Sequence, residues 1–137
     1  MIYVDANVVS EVARPSGSRT VKTWYADRRA ELRVSAIVVA EVVSGAQLIG
    51  NPALRQAYLA VYEALMDDLP APDIVDGSIA RRAADLRGSS RRAGVQLALA
   101  DALIAATALR HRAPLATRNT KDFKATGLAL IDPWEDA

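Results

Sequence analysis

The chain has no cysteine among its 137 residues, and His111 is its only histidine. Disulfides, thiolate zinc sites and cysteine nucleophiles are therefore excluded, and His111 lacks a second histidine with which to bind a metal. No apolar run approaches the roughly 20 residues of a membrane-spanning helix. No basic and apolar leader precedes Ile2, so we expect a cytoplasmic protein with no membrane association.

The overall composition is typical of one folded domain. The chain is 51% hydrophobic and 24% charged, and we find no repeat or low-complexity segment, so we expect a single domain over residues 1–137. The net charge of +1 does not by itself indicate nucleic-acid binding. Arginines nevertheless cluster at residues 81–82 and 91–92. These clusters are either a solvated helix face or a surface that binds phosphates.

Short apolar runs alternate with segments of helical spacing. The runs that we predict as strands lie at residues 2–4, 32–35, 73–75, 114–117 and 128–131. They are continuously apolar, as parallel strands are when helices cover both faces of a sheet. The pattern predicts an α/β domain with a mainly parallel central sheet of four or five short strands flanked by helices.

Three carboxylates stand where the pattern otherwise favours apolar residues. Asp5 follows the first strand directly, and we expect Asn7 to cap the next helix, which leaves Asp5 free for another role. Glu41 is the only charged residue in a long apolar helical run, although it could also lie on a narrow solvent-facing stripe. Asp101 is the only acid in a second apolar helix, at residues 96–112.

Carboxylates that meet in one place repel each other unless a cation joins them. Ligands of parallel sheets bind beyond the carboxyl ends of the strands, where Asp5 and the polar turn at residues 117–123 are expected. Hard oxygen donors without a cysteine or histidine partner favour Mg²⁺ or Mn²⁺. Such ions usually act on phosphates, so the pattern favours phosphodiester chemistry.

Four stretches resemble, in their order and separation, the PIN-domain ribonucleases, specifically the VapC-type and FitB-like toxins of bacterial toxin–antitoxin pairs. They are residues 2–11, 35–41, 100–108 and 116–123, and the ending at residues 131–134 is similar too. The resemblance covers the whole chain. It implies a PIN-like fold and a metal-dependent endoribonuclease that leaves 5′-phosphate and 3′-hydroxyl ends, with tRNA or rRNA as the expected substrate.

The resemblance also implies which residues form the catalytic site. Asp5, Glu41 and Asp101 would bind Mg²⁺ or Mn²⁺, and the fourth acidic position of the family falls on Asn119. Because asparagine offers only a neutral oxygen, this departure puts a full second metal site in doubt, and Asp122 is the residue that could compensate.

Further residues would support the site or contact the substrate. Thr117 is expected to position a ligand or a water, Arg118 to contact phosphate, and Asn7 to lie nearby. Ala6 stands where the family often has threonine, which removes a hydroxyl that could orient Asp5.

The resemblance implies two kinds of protein partner. One is a second copy of the chain in a homodimer, and the other is a cognate, DNA-binding, VapB-like antitoxin that could join the toxin in a hetero-oligomer. Val8, Val9, Val12, Trp24 and Tyr25 could form the groove for the antitoxin, but we expect most of them to be core. Because Trp24 and Tyr25 are adjacent, we expect only one of the two to face inward.

Two other functions remain open from the sequence. A phosphatase of the haloacid-dehalogenase type would use Asp5 as a phosphoryl acceptor, but its second acid is Asn7 here, and Glu41 and Asp101 would have no role. The other is a catalytically silent PIN fold that only binds RNA or protein, which the neutral Asn119 allows.

Overall fold

A four-stranded parallel sheet lies at the centre of the computed structural model, which describes residues 1–135. The strands are β1 (Ile2–Val4), β2 (Leu32–Arg33), β3 (Leu115–Ala116) and β4 (Leu130–Ile131). Their spatial order is β2-β1-β3-β4, and all three pairings are parallel. Every residue of the central strand β1 is buried, as expected for a parallel strand that helices cover on both faces.

Seven α-helices are present within residues 1–135. They are α1 (Ala6–Ala13), α2 (Arg19–Arg28), α3 (Ala36–Ala46), α4 (Pro52–Asp67), α5 (Gly77–Arg92), α6 (Leu99–Arg110) and α7 (Thr120–Phe123). Five of them begin at a polar side chain that accepts a hydrogen bond from a backbone N–H of the first turn, namely Asp5, Ser18, Ser35, Asn51 and Asp76. None of the helices in this range has both the length and the hydropathy of a membrane span.

The core forms where the sheet meets α1, α3 and α6. Tyr3, Trp24, Tyr62 and Phe123 are its largest buried side chains. The helix α6 is buried mainly through alanines, whose small side chains allow α5 and α3 to pack closely against it. The first turn of α6 is thereby fixed relative to the sheet.

The α/β prediction is confirmed, with four strands. The fifth candidate, at residues 73–75, is wrong as a strand, because only Asp73 forms a bridge, to Ser35, and this isolated bridge lies outside the four strands. The side chain of Asp73 instead accepts hydrogen bonds from the Tyr3 hydroxyl and the Arg33 guanidinium. Asp76 begins α5 only three residues later, which leaves no length for further pairing.

The prediction that only one of Trp24 and Tyr25 faces inward is also wrong, since both are buried. Adjacent helical residues point about 100° apart, so both can be covered when a helix has neighbours on two sides. The helix α2 packs on α1, while Asp68 and Arg29 lie near the Tyr25 hydroxyl. The prediction of core for the other residues of the candidate groove is confirmed for Val8 and Val9, and Val12 is half-buried.

Candidate active site

Asp5 lies between the ends of two neighbouring strands and is only 4% exposed. It directly follows β1, and its Oδ1 accepts a hydrogen bond from the backbone N–H of Val8 at 3.1 Å. Thr117, which directly follows β3, donates its hydroxyl to Oδ2 at 2.5 Å. The two residues are 112 positions apart in the chain and meet because β1 and β3 are paired. Thr117 therefore contacts Asp5 directly, while its role in positioning a metal ligand or a water stays a prediction.

The expectation that Asn7 caps α1 is wrong, because Asp5 is the cap. The cap must have an extended backbone immediately before the first helical residue, and Asp5 does, with ψ at 175°. Asn7 is already the second helical residue and is exposed. Asp5 serves two roles at once, since one oxygen caps the helix while the other receives the Thr117 hydroxyl.

Glu41 and Asp101 are presented by two helices that pack on each other. Glu41 is an exposed residue in the middle of α3, and Asp101 is half-buried in the first turn of α6. Desolvation raises the pKa of Asp101, and the nearby charge of Asp122 raises it further. Although Glu41 is exposed as a residue, desolvation of its carboxyl raises its pKa, and Asp101 and Asp5 add to that effect.

Burial raises the pKa of Asp5 to about 6, and the charge of Asp101 acts in the same direction. The hydrogen bonds from Thr117 and Val8 oppose this rise, because they stabilise the ionised carboxylate. The four acids are therefore electrostatically coupled, and ionisation of one makes ionisation of its neighbours less favourable. They are Asp5, Glu41, Asp101 and Asp122. The fold brings the predicted acids close enough to influence one another's pKa values.

The charge balance of this site fits a hard divalent cation. No cationic side chain of residues 1–135 forms a salt bridge with Asp5, Glu41 or Asp101. In the same range, no three acidic or histidine side chains stand close enough to enclose an ion. Mg²⁺ does not require such a cage, because it commonly keeps several waters and binds through one or two carboxylates. The oxygen donors and the uncompensated negative charge of the site fit Mg²⁺, although the carboxylates do not surround a single point.

The turn after β3 places the remaining predicted residues. The backbone N–H of Asn119 donates to the Thr117 hydroxyl at 3.0 Å, so this hydroxyl connects the turn to Asp5. The Asn119 side chain is exposed and does not cap α7. Asp122 lies half-buried in α7 and acts on Asp101 through its charge. The Arg118 guanidinium lies 5.0 Å from the ring centre of Trp134, at the exit of β4.

Glu11 was given no separate role in the sequence-based interpretation, although it lies within the first family-like stretch. It is 9% exposed, and it accepts a hydrogen bond from the Ser18 backbone N–H at 2.7 Å and another from Arg14. The bond from Ser18 is the main reason why the pKa of Glu11 is lowered. The signal in the sequence was the loop Arg14–Ser18, which directly follows the helix and supplies both partners.

The family model for the PIN domain matches residues 2–128. The chain therefore belongs to the PIN-domain family. A VapC ribonuclease of Sinorhizobium fredii, Y4jK, is 38% identical over 144 residues, covering 100% of both chains. The crystal structure of FitAcB from Neisseria gonorrhoeae is similar at a TM-score of 0.89 and 32% identity, covering 98% of this chain and 99% of that one.

A toxin–antitoxin complex from Klebsiella pneumoniae is also similar to this PIN domain, at a TM-score of 0.76 and 29% identity. The match covers 98% of this chain and 99% of that chain. The resemblance inferred from the sequence is thus confirmed, and it favours a ribonuclease over a phosphatase. Residues 136–137 lie outside the described range.

Proposed function

We propose that this PIN domain is a divalent-metal-dependent endoribonuclease, a VapC-type toxin that a cognate antitoxin neutralises. The observation that carries the proposal is the buried Asp5, which Thr117 holds and which is coupled by repulsion to Asp101 and Glu41, with no salt bridge to a cation among residues 1–135. A protein does not keep such a cluster for stability, because each ionised member raises the cost of the others. The full-length relative named a VapC ribonuclease supports the same function.

Asp5, Asp101 and Glu41 would hold Mg²⁺ or Mn²⁺, as their oxygen donors and unbalanced charge fit either ion. The ion would supply positive charge that polarises the scissile phosphodiester and favours ionisation of an attacking water. Thr117 keeps Asp5 ionised and correctly oriented by donating to Oδ2. Asp122 raises the negative potential around Asp101, which increases the attraction of that residue for a cation.

Two exposed residues of the turn after β3, Arg118 and Asn119, would contact the substrate. Arg118 is free to meet a phosphate with its guanidinium edge while Trp134 supports its flat face. Asn119 offers a neutral amide, which can hydrogen-bond to a sugar or a base but adds no charge for a second ion. One metal ion per site is therefore the stoichiometry that we propose.

The test is cleavage of total cellular RNA in Mg²⁺ or Mn²⁺, with mapping of the new 5′-phosphate ends. We expect Asp101→Asn and Asp5→Ala to lose at least about a hundredfold in rate, because removal of even an indirect metal contact commonly costs 10–100-fold. Asp27→Asn, which removes an exposed acid of α2, is the matched control and should cleave as wild type does. Equal cleavage by all of these proteins would sink the mechanism.

The exposed, neutral Asn119 supports a second candidate function, a PIN fold that binds RNA or protein without cutting. Binding of RNA by the wild type without any new ends in the mapping experiment would favour this function. Restoring an acid with Asn119→Asp separates the two possibilities further. A gain of cleavage would show that the site had lost activity at that position, whereas an active wild type needs no such rescue.

Two protein partners belong to the same proposal. The toxin–antitoxin complex among the similar structures supports a cognate antitoxin as a partner of this chain. The homodimer stays a prediction, and the exposed Leu54 and Val61 on α4 are apolar residues that it could cover. Sedimentation of the purified chain, alone and with the product of the adjoining gene, would test both partners.

A further inference from the structure

The helix α5 carries a concentrated positive charge that the site at the sheet edge does not use. Its 16 residues contain five arginines and a single acid, Asp85. None of these arginines forms a salt bridge with any residue of the described range. Arginine elsewhere in the chain does find such partners, as in Arg110 with Asp76 at 2.8 Å. The charge of α5 is therefore available to a ligand.

A cavity of about 630 Å³ lies between the last turns of α5 and the segment that leads into α6. We name it the α5 cleft, and its lining includes Arg87, Arg91, Gln96 and the apolar Val95 and Leu97. A second hollow of about 470 Å³ adjoins it across Gly88 and is lined by Arg82 and Arg92. Four of the five arginines of α5 thus line one or the other of these two cavities.

The chemistry of the α5 cleft matches a strand of nucleic acid better than a small anion. Two guanidinium groups provide paired donors for phosphate oxygens. The exposed Gln96 amide can hydrogen-bond to a base or a sugar, and the half-buried Val95 offers an apolar contact to a base, whereas Leu97 belongs to the core. A free phosphate would use only the arginines.

The α5 cleft lies close to Asp101 along the chain. Arg87 donates its Nε–H to the carbonyl oxygen of Leu97 at 3.0 Å, which fixes the cleft to the start of the α6 segment. Asp101 follows Leu97 by four residues, and four residues span at most about 14 Å. At about 3.4 Å per stacked nucleotide, a strand in the cleft reaches the carboxylates within about four nucleotides.

We propose that the α5 cleft binds the sugar–phosphate backbone of the single-stranded RNA whose phosphodiester is cut at Asp5 and Asp101. This inference rests on the proposed function, because it places the same substrate on a second surface. Arg91 is the principal phosphate contact, since it lines the cleft without being tied to a backbone carbonyl as Arg87 is.

The experiment measures binding of a fluorescently labelled, single-stranded RNA of mixed sequence to the Asp5→Asn protein over a range of salt concentrations. Adding Arg91→Gln should weaken binding about tenfold and reduce the slope of log K against log salt by about 0.7, the loss of one phosphate contact. Arg91→Lys should keep the slope and lose part of the affinity, because it keeps the charge but not the paired donors. Arg81→Gln is the matched control, since Arg81 lies on the same helix but lines neither cavity.

Arg81→Gln should bind RNA as the Asp5→Asn parent does. Equal weakening by Arg81→Gln and Arg91→Gln would overturn the inference, because the charge would then act diffusely. Unchanged RNA binding by Arg91→Gln, or a loss of antitoxin binding alone, would overturn it too. If Arg91→Gln does not fold, as judged by thermal unfolding, the comparison of Arg91→Lys with Arg81→Lys decides.

Loss of the RNA-binding role of the α5 cleft can be distinguished from loss of the proposed endoribonuclease activity. RNA binding is read in a protein that lacks Asp5, so it does not depend on cleavage. Absence of cleavage by the wild type would overturn the endoribonuclease while leaving the cleft measurable. In an active enzyme, Arg91→Gln should raise KM and leave kcat unchanged, because the cleft contacts the substrate away from the reacting bond.

Discussion

At the scale of single residues, Asp5 has opposite effects on folding and on the proposed chemistry. Its pKa of about 6, against 3.8 for a free aspartate, means that the ionised form is harder to hold in the fold than the neutral one. The contribution of the neutral form to stability is full below pH 3.8 and is lost as the pH rises through about 6. The difference between the two pKa values lowers the free energy of unfolding by about 3 kcal/mol at neutral pH, relative to acidic pH.

Replacing Asp5 with asparagine should therefore raise the free energy of unfolding and, at the same time, abolish the proposed RNA cleavage. Without divalent cations, the advantage of Asp5→Asn in free energy of unfolding should be about 1 kcal/mol larger at pH 8 than at pH 5. Urea denaturation of both proteins at the two pH values measures it. The pH dependence is the diagnostic quantity, since rearranged hydrogen bonds to Thr117 shift both values equally. A difference independent of pH would show that Asp5 titrates normally.

Thr117→Val tests how the hydroxyl tunes Asp5 while the side-chain volume stays almost the same. The hydrogen bond from Thr117 lowers the pKa of Asp5, so its loss should raise that pKa further. The acidic limb of the profile of kcat/KM against pH should then move to higher pH. Thr126→Val is the control, because it removes another buried hydroxyl whose partner is the Phe123 carbonyl oxygen. If the acidic limb of the kcat/KM profile does not move in Thr117→Val, the ionisation of Asp5 does not determine that limb.

At the scale of secondary-structure elements, the loop between α1 and α2 is built around Glu11 and Gly17. A Cβ atom added to Gly17 would lie 1.9 Å from the backbone oxygen of Glu11, so only glycine fits there. In contrast, a Cβ on Gly45, inside α3, would meet nothing within 4 Å. The two glycines are therefore expected to respond oppositely to the same substitution.

Gly17→Ala should destabilise the protein by about 1–3 kcal/mol, because the loop must move and the bond from Ser18 to Glu11 is strained or lost. Gly45→Ala should stabilise it by about 0.5–1 kcal/mol through its better helix propensity. Urea denaturation of the two variants beside wild type checks both values. Similar stability of the two variants would contradict the packing described for this loop.

Most elements were predictable from local patterns, and the exceptions share a cause. Continuous apolar runs marked β1 and β3. The fifth strand was wrong because the Asp73 side chain is used by Tyr3 and Arg33, a contact across about half the chain that no local pattern shows. Trp24 and Tyr25 were misjudged because the cover on the second side of α2 comes from distant residues.

The three acids could be picked out from the sequence, but their surroundings in the fold could not, and their role as metal ligands stays a prediction. Asp5, Glu41 and Asp101 stood out as charges in apolar surroundings, and the resemblance linked them. The roles of Asp5 and Asn7 in capping were reversed, because both residue types cap well and only the backbone angle distinguishes them. The hydroxyl of Thr117 on Asp5 depends on the pairing of β1 with β3, which follows from the fold rather than from neighbouring residues.

At the scale of the whole molecule, the repulsion among the acids should make folding stability respond to divalent cations. Mg²⁺ or Mn²⁺ at about 100 times its dissociation constant should add about 2.7 kcal/mol, or roughly 5–10 °C in Tm. The gain should be larger at pH 8 than at pH 5, because the pKa of Asp5 is about 6 and the ion binds the ionised form.

Thermal unfolding in matched ionic strength measures this gain for wild type, Asp5→Asn and Asp27→Asn. Wild type and Asp27→Asn should gain equally, while Asp5→Asn should gain much less. An equal gain in all three proteins would place the bound cation elsewhere on the surface.

The pairing of the first strand with the third also has a consequence for synthesis. Asp5 is translated 112 residues before its hydroxyl partner, Thr117. Asp101 and β3 likewise follow Asp5 by about a hundred residues. A growing chain therefore cannot bring Asp5 and Thr117 together until both have been made. The order of the sequence keeps the acidic site incomplete until β3 has been translated.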